Sequence, residues 1–167
     1  MARAQGRGVS LRIIFALIAL LVLAADQLSK LYIRAHFQPY AMLPIIPNWL
    51  DLTYTLNPWA AFSLFATMPA QFRRVFFVAL SAGAMVVLMG LLVRRSTSPA
   101  SGVAFALILG GTVGNLIDRL VRGTVIDFIY FHHASFSYPV FNIADSAITF
   151  GVGVIIVLTS FGSSTGA

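Results

Sequence analysis

The sequence predicts an all-α membrane protein of four transmembrane helices with a small β-sheet or cradle on one side, and three observations predict it. Of the 167 residues, 59% are hydrophobic and 10% charged, with a mean hydropathy of +0.89, which excludes an ordinary soluble globular domain. Four runs have the length and apolarity of the roughly 20 residues that a helix needs to cross a bilayer core. One further segment, Leu50-Asp51-Leu52-Thr53-Tyr54-Thr55-Leu56, alternates apolar and polar residues with the period of a half-buried strand.

The first span covers about residues 11–31, with an uninterrupted apolar core from Ile13 to Ala25 and Asp26 directly after it. Basic residues ahead of that core and Ala24-Ala25 behind it also fit a cleavable signal, an alternative that would waste Asp26-Gln27-Leu28-Ser29-Lys30 at a new N-terminus. In the following segment, about 34–72, the alternating strand lies among Pro39, Pro44, Pro47 and Pro58, which favours a small sheet over another helix. The second span, about 75–93, is bracketed by Arg73-Arg74 and Arg94-Arg95. The third, about 103–120, is the least apolar and carries Gly110, Gly111, Gly114, Asn115 and Asp118. After a segment of about 121–140, the fourth span runs over about 141–161 with Asn142 and Asp145 in its opening turns. The whole chain, 1–167, reads as a single integral membrane domain.

Four spans place both termini on one side, together with the loop from Arg94 to Gly102. Both tryptophans, all five tyrosines and all five aspartates fall on the other side or at its boundary, and the chain has no glutamate. Function is expected on that aspartate side. Basic residues do not fix the orientation: Arg3, Arg7, Arg12, Arg94 and Arg95 on the terminal side oppose Lys30, Arg34, Arg73, Arg74, Arg119 and Arg122 on the other. The terminal side is taken as cytoplasmic because its arginines have no acid nearby. A pI near 10.5 does not point to nucleic acid, since the arginines end apolar runs and form no solvated basic face. The absence of cysteine excludes thiol nucleophiles, Cys-ligated zinc, disulfides and lipidation at a cysteine.

Chemistry must then come from the aspartates. Gly111, Gly114, Asn115, Asp118 and Arg122 recur at spacings of three and four and share one helix face, where glycines admit a neighbouring backbone and buried polar groups demand partners. The bland alternative is a packing stripe with an Asp118–Arg122 pair. Asn142 and Asp145 share a face of the fourth span, although Asp145 also suits the positive end of the helix dipole. Asp127 is a lone carboxylate in the apolar stretch Val125-Ile126-Asp127-Phe128-Ile129. If the third and fourth spans bring Asp127 and Asp145 together, the pair shares a proton and divides acid and base roles as an aspartic protease does. Asp51 is expected on the polar side of the strand. His132-His133 are expected to be solvated loop residues, and no metal site is expected from them. Ser63 and Ser81 lack the setting of a serine hydrolase, and Gly110-Gly111 lie within a span and form no phosphate loop. A proton-coupled carrier or channel component using the aspartates as a relay remains open at this point, as does a non-catalytic assembly subunit.

The motifs together resemble those of bacterial lipoprotein signal peptidase, signal peptidase II, an aspartic peptidase family. Asp26-Gln27-Leu28-Ser29-Lys30 resembles the first motif, and Asn57 with Ala60-Ala61-Phe62 the second. Gly111 to Arg119, Val125 to Phe128, and Phe141 to Asp145 resemble the remaining three. The resemblance implies cleavage of a prolipoprotein just before its diacylglyceryl-modified cysteine, by a monomer in the bacterial inner membrane without a cofactor. It implies Asp127 and Asp145 as the catalytic pair. Asp26, Lys30, Asn57, Gly111, Asn115, Asp118, Arg119 and Asn142 are implied as supporting or substrate-binding residues. It also implies an active site on the extracytoplasmic face, with both termini cytoplasmic and lipid around the spans. One departure is Trp59, where the family's second motif has glycine; a bulky ring there is expected to alter the cradle and narrow substrate choice or slow turnover.

Overall fold

The computed structural model describes residues 2–58, 69–94 and 97–162. Trp59, Ala60-Ala61-Phe62, Ser63 and Arg95 lie outside the described residues, as do the side chains of Arg3 and Arg7. The elements run α1 (Ala2–His36), β1 (Met42–Ile46), β2 (Leu50–Asn57), α2 (Ala70–Val93), α3 (Pro99–Val121), β3 (Val125–His133), β4 (Phe136–Ser137) and α4 (Ile143–Gly162). Within them, Leu11–His36, Ala70–Val93, Pro99–Val121 and Ile143–Phe161 are long and apolar enough to cross a membrane.

The helix ends explain where the expected spans were too short. Pro69 precedes α2, so Arg73 and Arg74 belong to the opening turns of that helix and not to the loop before it. Ser98 accepts a hydrogen bond from the Ser101 N–H at 3.1 Å and Pro99 occupies the first turn, starting α3 ahead of its apolar run. At α4 the chain becomes helical at Ile143, because Asn142 serves as the cap: its Oδ1 accepts the Asp145 N–H at 2.9 Å, while the Asp145 carboxylate accepts the Asn142 N–H at 3.3 Å. This reciprocal pair is a capping box with Asp in the place of the usual Glu.

Helix α3 lies at the centre and touches α1, α2 and α4. Its glycines set the approach. A Cβ on Gly110 would sit 2.6 Å from the Ala19 carbonyl oxygen of α1, and one on Gly111 would collide with the Ala144 carbonyl oxygen and come 2.9 Å from Ile148 Cγ1 of α4. With no hydrophobic drive between helices in lipid, such close backbone packing is the main source of helix association.

Above the helices on the aspartate side, four antiparallel strands lie in the order β1-β2-β3-β4. Helices α2 and α3 are inserted between β2 and β3, so Asn57 pairs with Val125 and Thr55 with Asp127 across the longest gap in the sheet. The alternating segment is strand β2, as its pattern predicts. Strand β3 gave no such pattern because Val125, Ile126, Asp127 and Phe128 are all buried; a strand covered on both faces loses the period of two. Ile126 and Phe128 pack with Tyr54 of β2 and Ile33 of α1, which seats the sheet on the end of the first helix.

Two expectations need correcting. Asp51 does not simply face solvent: it is 9% exposed, and its Oδ2 lies 3.1 Å from His132 Nε2. His132 and His133 are not loop residues but end β3, stacked on Tyr130 and Trp49 respectively. Asp51 and His132 are diagonal neighbours across the β2–β3 ladder, so the polar alternation here marks a cross-strand pair.

Gly111→Leu is expected to force α3 from α4 and lower the thermal unfolding midpoint in detergent, by about 1–3 kcal/mol of stability. Gly83→Ala on α2, where a Cβ meets nothing within 4 Å, should leave the midpoint unchanged or raise it. Equal losses in the two variants would contradict this packing account.

Candidate active site

Asp26, Lys30 and Gln27 come from α1, Asn115, Asp118 and Arg119 from α3, Asp127 from β3, and Asn142 and Asp145 from the start of α4. The sequence placed these groups near one boundary, and the fold brings them into one connected network.

Its base is an ion cluster. Lys30, Asp26 and Asp118 have side chains with 0% exposure. Lys30 Nζ lies 2.7 Å from Asp26 Oδ2, 2.9 Å from Asp118 Oδ2 and 3.0 Å from Asn115 Oδ1. An ammonium has three protons to donate, and all three find acceptors. Arg122 pairs with the other oxygen of Asp118, so two buried carboxylates face two cations. The same carboxylates also hold backbone: Asp26 Oδ1 accepts the Ala144 N–H of α4 at 3.0 Å, and Asp118 Oδ2, shared with Lys30, accepts the Ile126 N–H of β3 at 3.2 Å. Gln27, which the sequence reading passed over, places its Nε2 3.1 Å from both Asp26 Oδ2 and the Gly114 carbonyl. Only its neighbour Asp26 hinted at it. A Cβ on Gly114 would lie 2.5 Å from Asp26 Oδ2, so this glycine makes room for a carboxylate as well as for a helix.

Above the cluster, asparagines hold the other two carboxylates. Because Lys30 can only donate, Asn115 must present its oxygen there and its amide nitrogen elsewhere; that nitrogen donates to Asp145 Oδ1 at 2.8 Å. Asn142 is oriented in the same way. Its oxygen is occupied by the Asp145 N–H, so its nitrogen donates to Asp127 Oδ1 at 2.7 Å. Asn57 Nδ2 donates to Asp127 Oδ2 at 2.8 Å. Asp127 and Asp145 are thus set side by side by one residue, Asn142, that bonds the first and caps the helix carrying the second.

Asp127 is 2% exposed. Burial and then the nearby Asp145 charge push its carboxyl up to about 7, against the opposing hydrogen bonds from Asn57 and Asn142. Arg119 donates from Nη1 to the Asn115 carbonyl at 3.2 Å and holds its guanidinium 5.3 Å from the centre of the Phe77 ring, which places a cation beside the pair without a direct salt bridge to it. Asp145 also lines a groove of about 300 Å³ with Tyr138, Phe141, Ser146, Thr149 and Phe150. One carboxylate is therefore sealed and its neighbour opens onto an apolar groove at the membrane boundary.

With this geometry in view, the comparisons with known proteins bear directly on it. Residues 18–161 match the family model described as Signal peptidase (SPase) II. The chain belongs to the signal peptidase II family. It is 39% identical over 146 residues to a lipoprotein signal peptidase of Syntrophus aciditrophicus, covering 87% of this chain and 91% of that one. To the lipoprotein signal peptidase of Moorella thermoacetica it is 45% identical over 141 residues, covering 84% and 89%. A bacterial membrane enzyme solved by the in meso method superposes with a TM-score of 0.84 at 29% identity, covering 92% of both chains. As a member of this family the chain is a peptidase, and with four spans it is a multi-pass inner-membrane protein.

Lys30→Met is expected to strand two buried carboxylates and cost about 3–5 kcal/mol, read as a large drop in the thermal midpoint in detergent. Adding Asp26→Asn to Lys30→Met should recover part of the loss, since Asp118 keeps Arg122. A double variant no more stable than the single one would count against a charge-balanced cluster.

Proposed function

We propose that the chain is an aspartic endopeptidase with Asp127 and Asp145 as its catalytic pair. The reaction is removal of the signal peptide from a prolipoprotein, and in this reading the cut falls just before the diacylglyceryl-modified cysteine. The observation that carries the reading is the placement of the two carboxylates by Asn142, one buried and one at an apolar groove.

The chemistry follows from their unequal surroundings. Asp127, pushed up to about 7, retains a proton near neutral pH and is the member suited to donate to the scissile carbonyl. Asp145, on the groove, accepts a proton from the attacking water. The water oxygen bonds to the carbonyl carbon as Asp145 takes one water proton, and the carbonyl oxygen takes the Asp127 proton; the tetrahedral adduct then breaks its C–N bond, the amine leaving with the proton held by Asp145 while one hydroxyl proton of the adduct returns to Asp127 and the carboxylic acid forms. Arg119, near both carboxylates, helps to stabilise their shared negative charge, while Asp26, Lys30, Gly111, Asn115, Asp118 and Asn142 fix the frame. Asn57 orients Asp127 from the sheet. The apolar groove suits a substrate drawn from lipid, and membership of the signal peptidase II family supports an extracytoplasmic site with cytoplasmic termini. The chain works in this reading as one membrane domain and as a monomer.

Asp127→Asn and Asp145→Asn should each reduce kcat/KM on a lipid-modified precursor peptide by about 10³-fold or more, without a matching loss of thermal stability. Because the acid must be protonated, native activity should fall as pH rises through about 7, approaching tenfold per unit on the alkaline side. Full activity in either variant would sink the pair.

A further inference from the structure

We propose that the β1–β2 hairpin is a membrane-interface element, whose partner is the headgroup and upper acyl region of the leaflet adjoining the site. The inference goes beyond the peptidase reading and stands on separate observations.

All five residues of β1 are exposed. Successive side chains of a strand point to opposite faces, so Met42, Leu43, Ile45 and Ile46 leave β1 apolar on both. Tyr40, 72% exposed, and Trp49, 48% exposed, flank them. From Phe37 to Leu50 the chain contains no acidic or basic residue and no histidine. In water an edge strand of this kind is an aggregation hazard, which soluble proteins blunt with charge.

The edge is blunted here in another way. Pro44 has no N–H to offer, and the register with β2 shifts between Pro44 and Ile46, breaking the ladder on which a further strand would be added. The geometry therefore discourages pairing with a second copy while keeping the apolar side chains outermost. That combination fits a fluid apolar partner.

The hairpin also sits at the right level. The sheet packs on Ile33, with Phe37 against the same core, at the end of an apolar stretch running Leu11–His36. At 1.5 Å per residue that stretch is about 39 Å long, against a hydrocarbon core of roughly 30 Å, so its last turns reach the headgroups. Exposed Leu31 and Tyr32 continue the lipid-facing side of the helix towards the hairpin. Depth is limited from the other direction, because the unpaired backbone of an open edge cannot enter hydrocarbon. Tyr40 and Trp49 belong to the level in between, where aromatic rings with a polar atom collect. The tip is rigid enough to hold that position: Pro47 and Asn48, with φ of 62°, turn the chain, the Trp49 N–H closes on the Ile46 carbonyl at 3.0 Å, and the indole stacks on His133 at 3.9 Å.

The test uses the full chain carrying Trp59→Phe, so that Trp49 is the sole tryptophan, reconstituted in phosphatidylcholine vesicles with bromine atoms near either the glycerol or the methyl end of the acyl chains. Shallow bromines should quench Trp49 emission about two-fold and deep ones far less, as expected for a ring at the interface. Adding Ile45→Glu should weaken the shallow quenching and shift the emission to the red. Absence of shallow quenching in the unmodified hairpin would overturn the proposal, as would deep quenching equal to shallow. So would emission that follows the protein-to-lipid ratio and ignores bromine, the result expected if a second copy covers the strand.

Discussion

Lys30 Nζ sits where α1 meets α3, and its need for three acceptors organises the rest. Bringing one ammonium out of water is costly unless every proton is used. Here one acceptor comes from its own helix and two, Asn115 and Asp118, from the last turns of α3, so satisfying the charge docks α1 against α3. The same two carboxylates also accept the Ala144 N–H of α4, on the free oxygen of Asp26, and the Ile126 N–H of β3, on the Asp118 oxygen that Lys30 uses. A fourth helix and a strand are thus fixed by groups whose first task is to neutralise a cation. Because the lysine cannot accept, it also dictates which way Asn115 points, and through Asn115 it reaches Asp145.

This arrangement separates two kinds of aspartate by surroundings alone. Asp26 and Asp118 are enclosed but have cations within contact distance. Asp127 is nearly as enclosed, but among the described residues no cation is in contact with it, so burial and then the Asp145 charge raise its carboxyl against the amide donors Asn57 and Asn142. Paired acids build the frame, and the two without a cation in contact are the pair proposed for the chemistry.

Much of this was legible in the sequence where a helical period carried it. The spacing of Gly111, Gly114, Asn115 and Asp118 named one face, and the structure turns that face to α4 and to Asp26. Asn142 and Asp145 were legible as neighbours at a helix start, although their reciprocal cap is a finer relation than shared facing. Where contacts depend on register, the pattern was silent. Asn57 reaches Asp127 across 70 positions of chain, and only the motif resemblance singled it out. Strand β3 hid because burial on both faces erased its alternation. The Asp51–His132 pair was misread since each residue, taken alone, looks like a surface residue. Gln27 drew no attention because its partners, Asp26 and the Gly114 carbonyl of α3, are set by how α1 packs on α3.

The insertion of α2 and α3 between β2 and β3 has a consequence for how the molecule comes into being. Half of the sheet emerges early in synthesis and must wait for two more spans before its partner strand exists. Asp127 and Asp145 lie later still, and the Ala144 N–H that Asp26 holds arrives with the last helix. A ribosome-bound or truncated chain therefore has lone carboxylates but no assembled centre. On the proposed assignment the centre is complete only once α4 has joined the bundle, so the chain becomes a hydrolase last of all.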